Sequence, residues 1–158
     1  MPEPIPAADL AYIAAVVDTM ANLRICKSSK SPLPEVQVNN GNLALLDHLG
    51  RLTGVEPMRL EREYSRHLCS QHCDGPHKHV HATYGRWHLT GARATVLLHN
   101  VRPYLRLRTA DAGELLEVGL AAGWKSHAIE GMLTLGWTLP PFKSQARARA
   151  DQLWKDVS

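Results

Sequence analysis

The spacing of apolar residues predicts a helix followed by two short strands at the start of the chain. Five apolar residues recur at intervals of three and four, which is typical of an amphipathic helix over residues 7–20: Leu10, Ile13, Ala14, Val17 and Ala21. The period then changes to two over residues 23–27 and again over 35–39. Serine, lysine and proline between these stretches predict a turn that joins two strands.

The same pattern then repeats with a second helix, two strands and a third helix. Asn42 is placed to cap the second helix and Gly54 to end it. Alternating basic and apolar residues predict strands over 59–68 and 84–89. The third helix ends at Pro103. The predicted order is αββαββα, an α+β fold.

The remaining residues are predicted to be helical. Apolar spacing indicates helices over 112–122 and 126–135, and a basic amphipathic segment over 144–157. We therefore divide the chain into a core of residues 7–122 and a C-terminal helical extension of residues 123–158.

Composition narrows the class of protein. The 158 residues are 44% apolar and 21% charged, as in globular proteins. No apolar run approaches the roughly 20 residues that span a bilayer, and the first residues lack the features of a signal peptide. Three cysteines do not suit a disulfide framework. We expect a protein of the cytoplasm, associated with no membrane.

Three segments of the chain resemble the LAGLIDADG homing endonucleases. Residues 13–21, Ile-Ala-Ala-Val-Val-Asp-Thr-Met-Ala, are similar to the nine-residue family motif. Residues 36–46 resemble the second strand of the family and the helix after it. Residues 103–108, Pro-Tyr-Leu-Arg-Leu-Arg, resemble the segment after the third helix. The resemblance extends from about residue 8 to residue 118.

The resemblance implies an antiparallel sheet shaped as a saddle that sits in the major groove of double-stranded DNA. Since the chain holds one copy of the motif, it also implies a homodimer in which two motif helices cross. The small residues of the motif suit such a close crossing. The expected dimer interface is formed by Ile13, Ala14, Val17 and Asp18.

Met20 departs from the family at the position that matters for catalysis. In active members the eighth motif residue is an acid that binds divalent metal ions. A thioether cannot replace a carboxylate as a ligand of Mg²⁺. We therefore expect no catalytic residue and no Mg²⁺. The alternative is an active endonuclease with a relocated acid, Asp18 or Glu35, in which case Mg²⁺ is its cofactor.

Arginine and amide side chains on the predicted strands favour nucleic acid as the partner. Arginine pairs with guanine, and asparagine or glutamine with adenine, in the major groove. The net charge is only +3, so the placement of these residues decides whether they act together. The candidate DNA-binding residues are Arg24, Lys27, Gln37, Asn39, Asn40, Arg59, Arg62, Arg86, Arg106 and Arg108.

A Cys/His-rich insertion at residues 67–81 is the second chemical signal. It holds two cysteines and five histidines. Thiolate and imidazole groups are the ligands of structural zinc, which binds four of them in a tetrahedron. Our candidate zinc ligands are Cys69, Cys73, His77 and His79, with His67, His72 and His81 as alternatives.

These features favour a regulator that binds double-stranded DNA as a dimer and carries a structural zinc ion. Two alternatives remain open at the level of the sequence. One is the active endonuclease described above, and the other is a zinc-stabilised module that binds a protein rather than DNA.

Overall fold

The computed structural model describes residues 2–27, 31–64, 79–122, 126–143, 155 and 157. Its elements in chain order are helix α1 (Ala7–Met20), strands β1 (Asn22–Cys26) and β2 (Leu33–Asn40), helix α2 (Leu43–Thr53), strands β3 (Met58–Tyr64) and β4 (His79–Thr90), helix α3 (Gly91–Val101), a 3₁₀ turn (Arg102–Tyr104), and helices α4 (Thr109–Ala121) and α5 (Ser126–Thr134). The predicted αββαββα order of the core is confirmed.

The four strands form one antiparallel sheet in the order β1-β2-β4-β3. Strand β4 is longer than the predicted 84–89 because its first residues pair with the end of β3, where His79 lies opposite Tyr64. The predicted third strand, 59–68, is observed as Met58–Tyr64, and its last residues lie outside the described part of the chain.

The caps of α2 are those that the sequence predicts. The side chain of Asn42 accepts a hydrogen bond from the Leu45 amide at 3.2 Å. Gly54 ends the helix in the left-handed conformation, with φ of 71°, and its amide donates to the carbonyl of Gly50 at 2.8 Å. This stop turns the chain toward β3.

The core lies between one face of the sheet and the helices. Val36, Val38, Trp87 and Leu89 contribute the sheet side and are fully or almost fully buried. The Trp87 indole donates to the Thr53 hydroxyl at 3.2 Å, so its polar group is satisfied inside the core.

The segment after α5 also joins the core, because Trp137 is buried and donates to the carbonyl of Leu52 at 2.9 Å. Most of the predicted segment 144–157 lies outside the described residues. Among the described helices, none is long and apolar enough to cross a bilayer.

Candidate nucleic-acid interface

The face of the sheet opposite the core is polar. Side chains alternate between the two faces of a strand, so the neighbours of the core residues lie on this face. Val36 and Val38 point into the core, so Glu35, Gln37 and Asn39 lie on the other side. Cross-strand register places further residues on this same side, which we call the polar face: Asn22 and Arg24 on β1, Met58 and Leu60 on β3, and Tyr84, Arg86, His88 and Thr90 on β4.

A buried carboxylate lies on the polar face near the start of β2. Glu35 is only 3% exposed and lies opposite Thr90, the last residue of β4. Its Oε1 accepts a hydrogen bond from Nη2 of Arg24 at 2.7 Å and lies 2.7 Å from Nε2 of His88. The two partners come from the strands on either side of β2, so the three residues form a chain across three adjacent strands, which we call the Glu35 triad.

The triad keeps Glu35 ionised. The Arg24 hydrogen bond lowers the pKa of Glu35 below its ordinary value, and the His88 contact acts in the same direction against the opposing effect of burial. The contact with Glu35 in turn raises the pKa of Arg24. A negative charge that would repel a phosphate is therefore enclosed and balanced by its neighbours.

Arg86 and two amide residues form a second polar group beside the triad. Nε of Arg86 donates to Oδ1 of Asn39 at 3.0 Å. Gln37 lies between Asn22 and His88 in the cross-strand register, and Asn39 lies opposite Arg86. Four of the predicted DNA-binding residues are thus brought onto one face, although Gln37 is only 8% exposed: Arg24, Gln37, Asn39 and Arg86.

Arg59 does not lie on the polar face, and this part of the predicted surface is wrong. Its register partner is Gly85, where an added Cβ would meet the Leu46 and Leu43 side chains of α2. Arg59 therefore lies on the helix-bearing side, where its guanidinium is 3.6 Å from the carboxylate of Asp47. Neighbouring residues of a strand face opposite sides, so a shift of one residue reverses the assignment.

Arg62 lies near the end of β3, and Lys27 directly follows β1. Arg62 pairs with Ala82 in the backbone register, and its side chain is outside the described part of the structure. Lys27 is exposed directly after β1.

Asn40 links the end of β2 to the end of α1. Its Oδ1 accepts from the amide of Asn42 at 2.7 Å, which tightens the turn before α2. Its Nδ2 lies 3.6 Å from the sulfur of Met20. Met20 is 47% exposed, so the position that holds an acid in the motif carries an accessible thioether in this chain.

Asp18 is a structural residue that fastens the segment after the 3₁₀ turn to α1. Its Oδ2 accepts from the amide of Arg106 at 2.7 Å, and its Oδ1 accepts from the amides of Leu107 and Arg108 at 3.2 and 3.0 Å. Burial opposes ionisation, but these three hydrogen bonds outweigh it and hold the pKa of Asp18 below its ordinary value. Asp18 is one of the two acids that the endonuclease alternative considers, and its carboxylate accepts three backbone hydrogen bonds in this structure.

The two arginines of this segment differ in what they contact. The guanidinium of Arg108 donates to the carbonyl of Ala21 and lies 3.3 Å from the carboxylate of Asp111. It therefore closes the C-terminal end of α1. Arg106 is exposed beside it.

The predicted dimer interface is wrong in its residues. Ile13, Ala14 and Val17 are completely buried within the single chain, and Asp18 is engaged as described above. These residues lie on the side of α1 that faces the core. The apolar face of this helix is wide, so the sequence alone does not show which part of it is covered by the same chain. The exposed small residues of α1 are Ala7, Ala8, Ala11, Ala15 and Thr19, and the side chain of Tyr12, which is 40% exposed, lies on the same side of the helix.

The predicted zinc ligands cannot be placed. Cys69, Cys73 and His77 lie outside the described residues, as does the side chain of His79. Within the described part of the chain, no group of three or more metal-ligating side chains comes together. The backbone of His79 opens β4.

Sequence reasoning missed His88 and Asn22 as members of the polar face. Both follow the period-two alternation of their strands, so this signal was available. The contact of Glu35 with Arg24 and His88 could not be predicted from the sequence, because it depends on the pairing of three strands that are distant in the sequence.

Two solved structures of a homing endonuclease are similar to this chain. The chain is similar to the homing endonuclease I-CvuI in complex with its Sro1.3 target, with 16% identity over 95% of this chain and 94% of that chain and a TM-score of 0.47. It is also similar to I-CvuI in complex with the I-CreI target, with 15% identity, the same coverage and a TM-score of 0.45. No model of a protein family and no curated protein matches the sequence.

The role of Asp18 predicts a pH-dependent loss of stability in Asp18→Asn. The uncharged amide weakens three hydrogen bonds. We therefore expect the free energy of unfolding at neutral pH to be about 1–3 kcal/mol lower than that of the wild-type protein. Because the folded pKa of Asp18 is lowered, its contribution is present above the ordinary value of 3.8 and is lost as the pH falls through the folded pKa. The difference between the proteins should therefore shrink in acid, as measured by urea unfolding at several pH values.

Asp111→Asn is the matched control for this experiment. Its carboxylate is exposed and pairs only with Arg108 three residues away, so the expected change is within about 0.5 kcal/mol. An equal effect of the two substitutions, or an Asp18→Asn effect that is constant with pH, contradicts the assignment.

Proposed function

We propose that this protein binds double-stranded DNA through the polar face of its sheet and does not cleave it. The observation that carries the proposal is the convergence of Arg24, Gln37, Asn39 and Arg86 on one side of β1, β2 and β4. Arginine and amide groups are those that pair with base edges in the major groove, which is wide enough to admit a two-stranded ribbon.

The electrostatics of the polar face support an anionic partner. The carboxylate of Glu35 is buried and balanced by Arg24, whereas the side chain of Arg24 is 55% exposed. A surface of this kind neutralises phosphates and releases the counterions that surround DNA. The similar protein I-CvuI was crystallised with DNA, which is consistent with this partner.

The absence of cleavage follows from the groups near the end of α1. Met20 presents a neutral sulfur, and Asp18 is committed to three backbone amides. Glu35 is enclosed by its partners on the sheet. Hydrolysis assisted by metal ions needs carboxylate oxygens close to the scissile phosphate. A regulatory role through binding alone is the function that fits.

We further propose that two copies of the chain bind DNA together through the exposed side of α1. The stripe of Ala8, Ala11, Ala15 and Thr19 runs along that side at helical spacing. Small side chains allow two helices to approach closely. A two-fold dimer of this kind extends the polar face into a longer surface and predicts a palindromic binding site.

A structural zinc ion bound by Cys69, Cys73, His77 and His79 is part of the same proposal. The sequence supports it through the ligand types and their spacing. Cys69, Cys73 and His77 lie in the connection between β3 and β4, and His79 is the first residue of β4. Ordering such a long connection costs conformational entropy that metal binding offsets.

Arg86→Ala tests the polar face. We expect affinity for a selected duplex to fall by about 5- to 150-fold, because a base or phosphate contact is lost. Arg59→Ala is the matched control, since Arg59 lies on the opposite side of the sheet and should change affinity by less than about twofold. Fluorescence anisotropy over a series of salt concentrations measures both variants.

Three results contradict the proposed function. One is binding of the wild-type protein that does not weaken as salt increases, because phosphate contacts must show this dependence. Another is an Arg59→Ala effect as large as that of Arg86→Ala. The third is strand scission when the complex is incubated with Mg²⁺ or Mn²⁺, which restores the endonuclease alternative.

Ala15→Glu tests the dimer. A charged side chain at the centre of the exposed α1 stripe should convert a particle of two 17.5 kDa chains into a monomer and weaken binding to a palindromic duplex. Sedimentation equilibrium measures the mass. Ala110→Glu, at an exposed position of α4, should leave the dimer intact. A monomeric wild-type protein at the concentrations that bind DNA overturns the dimer.

Metal analysis of purified protein tests the zinc site. We expect about one zinc ion per chain, and its loss in Cys69→Ser. Substitution of Cys26, which lies on β1 and outside the insertion, should leave the zinc content unchanged. Protein that contains no zinc after purification without chelators rejects this part of the proposal.

A further inference from the structure

The Glu35 triad holds one arginine of the polar face in a fixed orientation. Arg24 is 55% exposed along its side chain, and an exposed arginine on an edge strand would ordinarily sample many rotamers. In this protein its Nη2 is held at 2.7 Å by a carboxylate that is itself only 3% exposed. The exposed arginine is therefore fastened to a group in the interior of the sheet.

The second partner of Glu35 prevents the carboxylate from turning away. An ionised carboxylate only accepts hydrogen bonds, so the contact at 2.7 Å requires that Nε2 of His88 carries the proton. Arg24 and His88 reach the same oxygen from opposite sides. Glu35 is too deeply buried to meet a ligand, so its effect must pass through the two side chains that it holds.

Arg24 retains donors for a ligand after it binds Glu35. The guanidinium has five N–H groups in a planar fork, and the observed contact uses only Nη2. A pair of parallel N–H donors remains for a partner with two adjacent acceptors. Guanine presents two acceptors, N7 and O6, in the major groove, whereas adenine presents one acceptor beside an N–H₂ donor that would oppose the guanidinium.

We propose that Arg24 reads a guanine at one position of each half-site and that Glu35 is the positioning residue that sets its orientation. This inference rests on the proposed function, since it requires that the polar face enters the major groove. A side chain already fixed before binding loses less conformational entropy in the complex, which strengthens the contact without adding new ones.

Among the described side chains, Arg86 has no such anchor on a charged group. Its Nε donates to the neutral amide oxygen of Asn39, an exposed residue near the end of β2. Hydrogen bonds to a charged acceptor are stronger than those to a neutral one. The triad therefore distinguishes Arg24 from Arg86 as the position where base preference should be stronger.

Binding sites selected from random duplexes test the inference. The wild-type protein should select guanine at one position of each half-site. Arg24→Lys should reduce that preference by about tenfold, because the planar fork of donors is lost. Its overall affinity at low salt should change little, because the charge is kept. Arg24 is exposed, so this variant should fold normally. Glu35→Gln, with Arg24 intact, should lower the same preference.

Replacement of that guanine by 7-deazaguanine removes the N7 acceptor and identifies the contact. Wild-type affinity should fall by about tenfold, whereas Arg24→Lys should bind both duplexes almost equally. The double variant with Arg24→Lys and Glu35→Gln should resemble Arg24→Lys alone, because residues that act as a unit are not additive. Arg93→Lys on α3, whose Nε donates to the carbonyl of Ala128, should behave as the wild type.

The inference is overturned if Arg24→Lys keeps the guanine preference or if 7-deazaguanine has no effect on the wild-type protein. Equal sensitivity of both proteins to 7-deazaguanine assigns the contact to another residue. If Glu35→Gln folds, as judged by its thermal unfolding, and keeps the preference, the positioning role is rejected. Failure of the proposed function looks different, since the wild-type protein then shows no salt-dependent binding to any duplex.

Discussion

Three backbone amides converge on the carboxylate of Asp18, and these hydrogen bonds join two segments that are almost 90 residues apart in the sequence. It ties the last turn of α1 to the segment that follows the 3₁₀ turn. Arg108 strengthens the joint from the other side, through the carbonyl of Ala21 directly before β1. The sheet, the first helix and the basic segment therefore keep a fixed relation to one another.

The same contact commits the carboxylate of Asp18 to the fold. A carboxylate that satisfies three amides stabilises the fold only while it keeps them. Two residues later lies the exposed Met20, whose sulfur faces the amide of Asn40. The last turn of α1 thus combines an engaged carboxylate with an exposed neutral sulfur.

Much of the fold could be predicted from the sequence because its signals are local. The caps of α2 and the alternation of β2 depend on residues only a few positions apart. The face of Arg59 could not be predicted because the basic residues of the predicted strand 59–68 recur at intervals of three and four, which leaves the face of the strand undetermined. The inner residues of α1 were mistaken for an interface because only tertiary contacts decide which apolar side of a helix is covered. The Glu35 triad unites three strands, so no local pattern could reveal it.

The shared oxygen of Glu35 also constrains how this surface can change during evolution. Loss of either neighbour would leave a buried negative charge with a single partner, which is costly to a folded protein. A replacement at residue 24 or 88 should consequently keep a donor to Glu35 or accompany a change of Glu35 itself. Descendants of this chain would therefore remodel this part of the polar face by coordinated substitutions, whereas residues outside the triad could change one at a time.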